Sequence, residues 1–304
     1  MLRPVVAGVD PTPESLAAAH WAAREAVLRE RPLRLVHAWE GLADEEASLP
    51  ELAAPSDRSR QVLRDALDEV TTRHPGLRVD GEQIALPAPD ALVGEAGSAE
   101  LLVLGSRGLG GVGGFLVGSV AQHVVGQAPR PVVLVRAGRT AEDNHRPGPG
   151  GEPSTGTPYR PVVVGVDPGT DSEHGRGTLL DFAFDEAARR RTPLRVVHAW
   201  TFHHASGYAP GPMDAPARAE SHEERAAALA ALLKPWRERY PSVAVEALVP
   251  EGRAAQRLLG TARGAGLLIV GRKPRPAVLG PRTGPVTHAA MHHAECPVVI
   301  VPHP

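Results

Sequence analysis

The chain has 304 residues, enough for two ordinary domains and more than one small core needs. Its 33 basic and 35 acidic side chains leave a formal charge of -2, which excludes the global basic balance of a nucleic-acid or anionic-membrane binder. With 42% hydrophobic and 22% charged residues it has an ordinary globular composition, two domain cores are expected, and the lone Cys296 excludes an internal disulfide.

The N-terminal stretch MLRPVVAGVDP lacks the charged start and apolar run of a secretory signal. No apolar segment reaches the roughly 18–20 residues of a spanning helix. The expected location is cytoplasmic, with neither membrane nor nucleic acid as partner.

In chain order, the first half contains short apolar runs rich in Val and Leu and reads as strands at 4–9, 33–38, 77–85, 101–105 and 132–136. Between them lie stretches of helical period. The first helix starts at Thr12 as cap with Pro13 in its first turn, buries Leu16, Ala19, Ala23 and Ala26, and stops before Pro32. A second covers 57–74 and ends at His74-Pro75-Gly76; a third follows Pro89, and a fourth begins near Gly118 and Ser119. The pattern βαβαβαβαβ predicts an α/β fold with one doubly wound parallel sheet.

The second half repeats the first. RPVVAGVDP at 3–11 returns as RPVVVGVDP at 160–168, and PLRLVHAW at 32–39 as PLRVVHAW at 193–200. LLVLG at 101–105 returns as LLIVG at 267–271, and PVVLV at 131–135 as PVVIV at 297–301. Four blocks in the same order make an internal duplication. The expected domains are 1–137 and 159–304. The segment between them, 138–158, is rich in Gly and Pro with almost no bulky apolar residue and reads as a flexible linker without a packed element.

Ligands of open parallel sheets gather beyond the carboxyl ends of the strands. There, after the fourth strand, lie Gly105, Gly108, a further glycine cluster, then Gly118 and Ser119 opening a helix. Glycines let consecutive amides approach an anion, and a helix start adds free N–H groups and a favourable dipole. The segment therefore reads as a phosphate cradle, against the simpler reading of a flexible glycine loop. Phe115 and Leu116 inside it suit either a subunit interface or the core.

With these residues the chain resembles a tandem universal stress protein. That family's signature, G-x2-G-x9-G-[S/T], is met by Gly105, Gly108, Gly118 and Ser119 without deviation in spacing. The resemblance covers both halves and implies two Rossmann-like units of strand order 3-2-1-4-5, packed as a pseudo-dimer through their last strands at 131–136 and 297–301. It also implies bound ATP with Mg²⁺, an adenine nucleotide as ligand, and a part in stress adaptation. On this correspondence Asp10 faces the ribose and adenosine end, Ala38 the adenine, and Arg107 and Val120 flank the phosphate loop. A homodimer and an unknown protein partner stay open.

Asp10 also suits a purely structural role, capping the turn before the first helix, and its return as Asp167 favours that role in part. His37 and His198 read as satisfied core groups. His288 and His292, four apart, share a helix face, yet neither further ligands nor an HExxH pattern accompany them.

In the second half the signature positions read Gly271, Pro274, Gly284 and Pro285. Proline carries no N–H, so a backbone cradle there is crippled and ATP is expected in the first domain only. Without an evident general base, nucleophile elbow or Walker A loop, the chain reads as a nucleotide-dependent sensor. The alternatives are a slow ATPase or phosphotransferase and a scaffold without nucleotide.

Overall fold

Runs of Val and Leu that are buried on both faces become the inner strands, and the periodic stretches between them become the covering helices. A computed structural model describes residues 2–40, 50–106, 117–169, 173–202, 215–273 and 283–303. The first repeat contains β1 (Val5–Gly8), α1 (Pro13–Arg29), β2 (Leu33–Ala38), α2 (Pro50–Arg73), β3 (Val79–Ile84), α3 (Ala88–Ser98), β4 (Leu101–Ser106), α4 (Ser119–Gln127) and β5 (Val132–Arg136). The second contains β6 (Val162–Gly165), α5 (Glu173–Arg190), β7 (Leu194–Val197), α6 (Ala215–Arg239), β8 (Val245–Leu248), α7 (Ala254–Thr261), β9 (Leu267–Arg272), α8 (Pro285–His293) and β10 (Val298–Pro302).

The strands form one ten-stranded sheet of order β3-β2-β1-β4-β5-β10-β9-β6-β7-β8. Each half shows the doubly wound order 3-2-1-4-5, and its own strands run parallel. The halves join where β5 meets β10 antiparallel, with Val133 opposite Val299. Two otherwise open edges thereby satisfy each other. The outer edges are short and charged: Arg34 pairs with Asp80 and Glu82 beside β3, and Arg195 with Glu246 beside β8, which blunts edge-to-edge pairing between chains.

Burial follows the faces of the sheet and not the repeats. One apolar cluster joins α1, α2, α5 and α6 to the sheet, and a second joins α3, α4, α7 and α8, each running through both halves. In place of one core per domain, the described residues form two clusters that the continuous sheet divides by face.

Helix α1 starts as expected: the Thr12 hydroxyl accepts from Ser15 N–H at 3.3 Å, and Pro13 occupies the first turn. Ala19, Ala23 and Ala26 are buried as expected, and one position differs. Leu16 is only half-buried, while Ser15 is buried because its hydroxyl donates to the Asp10 carbonyl at 2.7 Å. Helix α2 begins at Pro50, ahead of the expected 57, consistent with the high helix propensity of Glu51, Leu52, Ala53 and Ala54.

The segment read as a flexible linker carries a 3-10 turn at Glu142–Asn144 and a bridge between His145 and Tyr159, whose rings lie 4.1 Å apart. Arg146 N–H donates to the Pro158 carbonyl at 2.9 Å, and the Arg160 guanidinium to His145 carbonyl at 2.7 Å. Hydrogen bonds to the backbone do here what the missing apolar side chains do not.

Two polar contacts lock the halves on opposite faces of the sheet. On one face, Glu25 and Arg29 of α1 meet Glu186 and Arg190 of α5 in a closed ring of ion pairs, all four side chains buried. On the other, Arg136 of β5 donates to the Ala294 and Met291 carbonyls at the end of α8, at 3.0 and 2.7 Å. Arg272 of β9 donates reciprocally to Gly126 and Ala128 at the end of α4, at 3.0 and 2.6 Å. Each half thus supplies a cation to the C-terminus of the other half's last helix, where four carbonyls lack intrahelical partners.

Candidate functional site

At the carboxyl end of the first repeat's strands, β1, β2 and β4 stop around the first turns of α1, α3 and α4. They enclose a cavity of about 430 Å³. Asp10, Ala38, Gly105, Gly118, Ser119 and Val120, which the sequence singled out from separate segments, all line it. Arg107 and Gly108 lie outside the described residues, as do Phe115 and Leu116.

Gly105 is held to glycine by packing. A Cβ there would lie 2.6 Å from the carbonyl carbon and oxygen of Glu14 and 2.8 Å from Ser15 N, so only a bare Cα lets α1 start across the end of β4. This close approach brings Glu14 and Ser15 to the cavity wall, where neither was expected. The helical period hinted at the face of α1 but not at which strand end its first turn crosses.

Gly118 differs. Its backbone is extended, at φ -61 and ψ 157, and nothing lies within 4 Å of a Cβ built on it, so among the described residues neither strain nor packing demands glycine. It caps α4 without a side-chain hydrogen bond. Among the described residues the amides of Ser119, Val120 and Ala121, at the first positions of the helix, therefore have no side-chain cap, and the positive end of the α4 dipole lines the cavity.

Asp10 performs the structural role. Its Oδ1 accepts from Thr12 N–H at 3.0 Å and from the Thr12 hydroxyl, while its own N–H donates to Ser15 Oγ at 3.1 Å. Asp167 makes the same turn, accepting from Gly169 N–H at 3.1 Å. His37 Nδ1 lies 2.8 Å from the Val9 carbonyl and His198 Nδ1 3.4 Å from the Val166 carbonyl, which fits satisfied core imidazoles holding strand ends together. His288 and His292 stand ring to ring at 4.4 Å, and among the described residues no group of three potential ligands surrounds a metal position.

The matching pocket of the second repeat is smaller, about 270 Å³. Pro285 opens α8 where Ser119 opens α4, removing an amide and a hydroxyl. The Thr287 hydroxyl donates to the Gly271 carbonyl at 2.8 Å across the mouth of the cradle. Buried His303, beyond β10, packs its ring on Gly271, where the first repeat has the start of α1. Pro274 lies outside the described residues.

The model of the Universal stress protein family matches residues 1–136 and 158–302. The chain belongs to the universal stress protein family. A universal stress protein from Mycobacterium tuberculosis is 33% identical over 306 residues, covering 97% of this chain and 95% of its own. One from Mycolicibacterium smegmatis is 30% identical over 98% of this chain and 96% of its own. Among solved structures, a universal stress protein from Archaeoglobus fulgidus shares the fold across 98% of both chains, with a TM-score of 0.64 at 13% identity. A second Archaeoglobus fulgidus universal stress protein, solved in complex with dAMP, aligns to 44% of this chain and 98% of its own, with a TM-score of 0.34 at 22% identity. This universal stress protein has two family units in one chain, and among its described residues no helix is long and apolar enough to cross a membrane.

Proposed function

We propose that the first cavity binds ATP and that the protein acts as a nucleotide-dependent sensor or regulator in a stress response, with the second repeat not taking ATP. One observation carries this reading: the uncapped first turn of α4 lines the same cavity as Asp10 and Ala38. Helix amides suit phosphate oxygens, while the apolar wall from Val36, Leu92 and Leu104 suits a base. Arg107 and Gly108 complete the signature in the sequence and belong to the same proposed site.

Mg²⁺ fits as a companion of the phosphates. The described cavity wall includes the acidic Glu14 beside Gly105 of the phosphate loop, and Mg²⁺ is usually held by one or two carboxylates together with phosphates and water. When bound, the ion would neutralise phosphate charge. The chain's own work is to hold the base end against Ala38 and the phosphate end against α4. The reading is one of binding more than turnover because the sequence carries neither a Walker A loop nor a nucleophile elbow.

Ser119→Pro tests the assignment. Proline is tolerated at the first helical position, Gly118 already has the extended backbone a following proline favours, and Pro285 shows the same arrangement in α8. Loss of the amide and hydroxyl should weaken Mg-ATP binding, measured by titration calorimetry, by about tenfold or more. Unchanged affinity would remove α4 from the site. Phosphate release that depends on Ser119 would move the reading to a slow ATPase, and no binding to nucleotide-free protein would leave a scaffold.

A further inference from the structure

The two pockets share the lining of one end. Val9, Asp10, Val36, Ala38, Ala88 and Leu92 of the first cavity are matched in the second by Val166, Asp167, Val197, Ala199, Ala254 and Leu258, the same residue at each position. The turn at the acidic residue is also kept, with Oδ1 accepting the amide two residues on in both repeats. Every change described above falls at the other end. Pro285 removes a donor, Thr287 bridges to Gly271, and His303 fills the space over that glycine.

Leu179 adds bulk to the wall as well. What remains is an apolar slot of about 270 Å³ with a carboxylate at one edge, near the low end of the ~300–1,000 Å³ usual for small-molecule sites. Lys273 also lines it and α8 keeps the Val286 and Thr287 amides, but one amide and one hydroxyl are lost at Pro285 and the His303 ring occupies the space over Gly271 that a triphosphate would need.

We propose that this second pocket takes an uncharged nucleoside of the adenosine class, a ligand with base and ribose but no phosphate. The proposal rests on the first cavity being a nucleotide site, because the conserved walls identify the base and ribose end only through that assignment. The protein would then read two forms of one molecule, charged in the first repeat and uncharged in the second. The neutral ligand needs no amide cradle, and its ribose hydroxyls can donate to the Asp167 carboxylate.

The test uses the full chain, saturated with Mg-ATP, and measures binding of labelled adenosine by equilibrium dialysis. One adenosine per chain is expected to bind beside the ATP. Ala254→Trp, at the exposed first turn of α7 on the pocket wall, should weaken that adenosine by about tenfold or more and leave ATP binding intact. Ala254→Leu should give a smaller loss of the same kind. Ala88→Trp, its counterpart in the first cavity, should do the reverse.

Complete displacement of adenosine by ATP would overturn the proposal, as would a second ATP per chain that Ala254→Trp removes. ATP binding with no adenosine binding would also overturn it while leaving the first cavity's assignment in place. Adenosine binding that Ala254→Trp abolishes, in a protein that takes no ATP, would uphold the second pocket and remove the reading of the first. Binding of neither would overturn both.

Discussion

Arg190 of α5 donates to the Glu25 carboxylate of α1 at 2.5 Å, across the boundary between the repeats and out of water. Arg29 and Glu186 close the ring. Burial works against the charge on Arg29 and Arg190, but Glu186 and Glu25 outweigh it and hold both guanidinium groups above their usual value. Removing one member strands the rest, so Glu25→Ala should cost about 3–5 kcal/mol in urea unfolding. Replacing all four by apolar residues of similar size should be near neutral, because it removes the desolvation cost along with the attraction. A cost below about 1 kcal/mol for Glu25→Ala would mean that water reaches the ring.

The crossed arginine caps give a second prediction. Arg272→Met leaves the Gly126 and Ala128 carbonyls without their charged donor, and Arg136→Met does the same to Met291 and Ala294. Each should lower stability by about 1.5–3 kcal/mol by chemical denaturation. Lysine should rescue poorly, since one ammonium cannot span two carbonyls as the planar fork does. Equal stability of the Lys and Arg forms would show that charge alone matters.

The parallel sheet was legible in the sequence from local apolar runs, and its order came with the family resemblance that the spacing of Gly105, Gly118 and Ser119 carries. Glu25, Arg29, Glu186 and Arg190 were not legible. Along α1 alone a Glu and an Arg four apart look like a solvated pair, and only the opposing α5 makes them interior. Arg136 and Arg272 stayed hidden for a related reason: they occupy different strands of their repeats, and aligning the copies sets Arg272 against Ser106. Glu14 and Ser15 entered the cavity through Gly105, whose close packing reads in sequence only as one more phosphate-loop glycine.

Cys296 yields a prediction about pH. Burial pushes its thiol up to about 11, so at pH 8 the native protein presents a neutral, enclosed sulfur. Iodoacetamide at pH 8 should leave it unmodified in buffer and label it fully in denaturant, read by mass. The unfolded thiol ionises near 9.0, below the folded one, so the unfolded state loses its proton first and stability should fall as pH rises from about 9 towards 11. Native labelling at the denatured rate would show that the start of β10 opens readily.

Asp10 serves two masters under the proposed function, and two substitutions separate them. Asparagine keeps an Oδ1 that accepts from Thr12 N–H, so Asp10→Asn should hold the turn, with stability within about 0.5 kcal/mol of the parent. Alanine removes the acceptor, and Asp10→Ala should cost about 1 kcal/mol. If the carboxylate also receives the ribose hydroxyls, both variants should weaken Mg-ATP to a similar extent, about 10-fold for a lost charge-assisted hydrogen bond, although only one of them is destabilised. Affinity that instead tracks stability, intact in Asp10→Asn and reduced in Asp10→Ala, would assign Asp10 to the turn alone. Asp167 supplies the control: Asp167→Asn should leave ATP binding unchanged, because the turn it builds with Gly169 borders the other pocket.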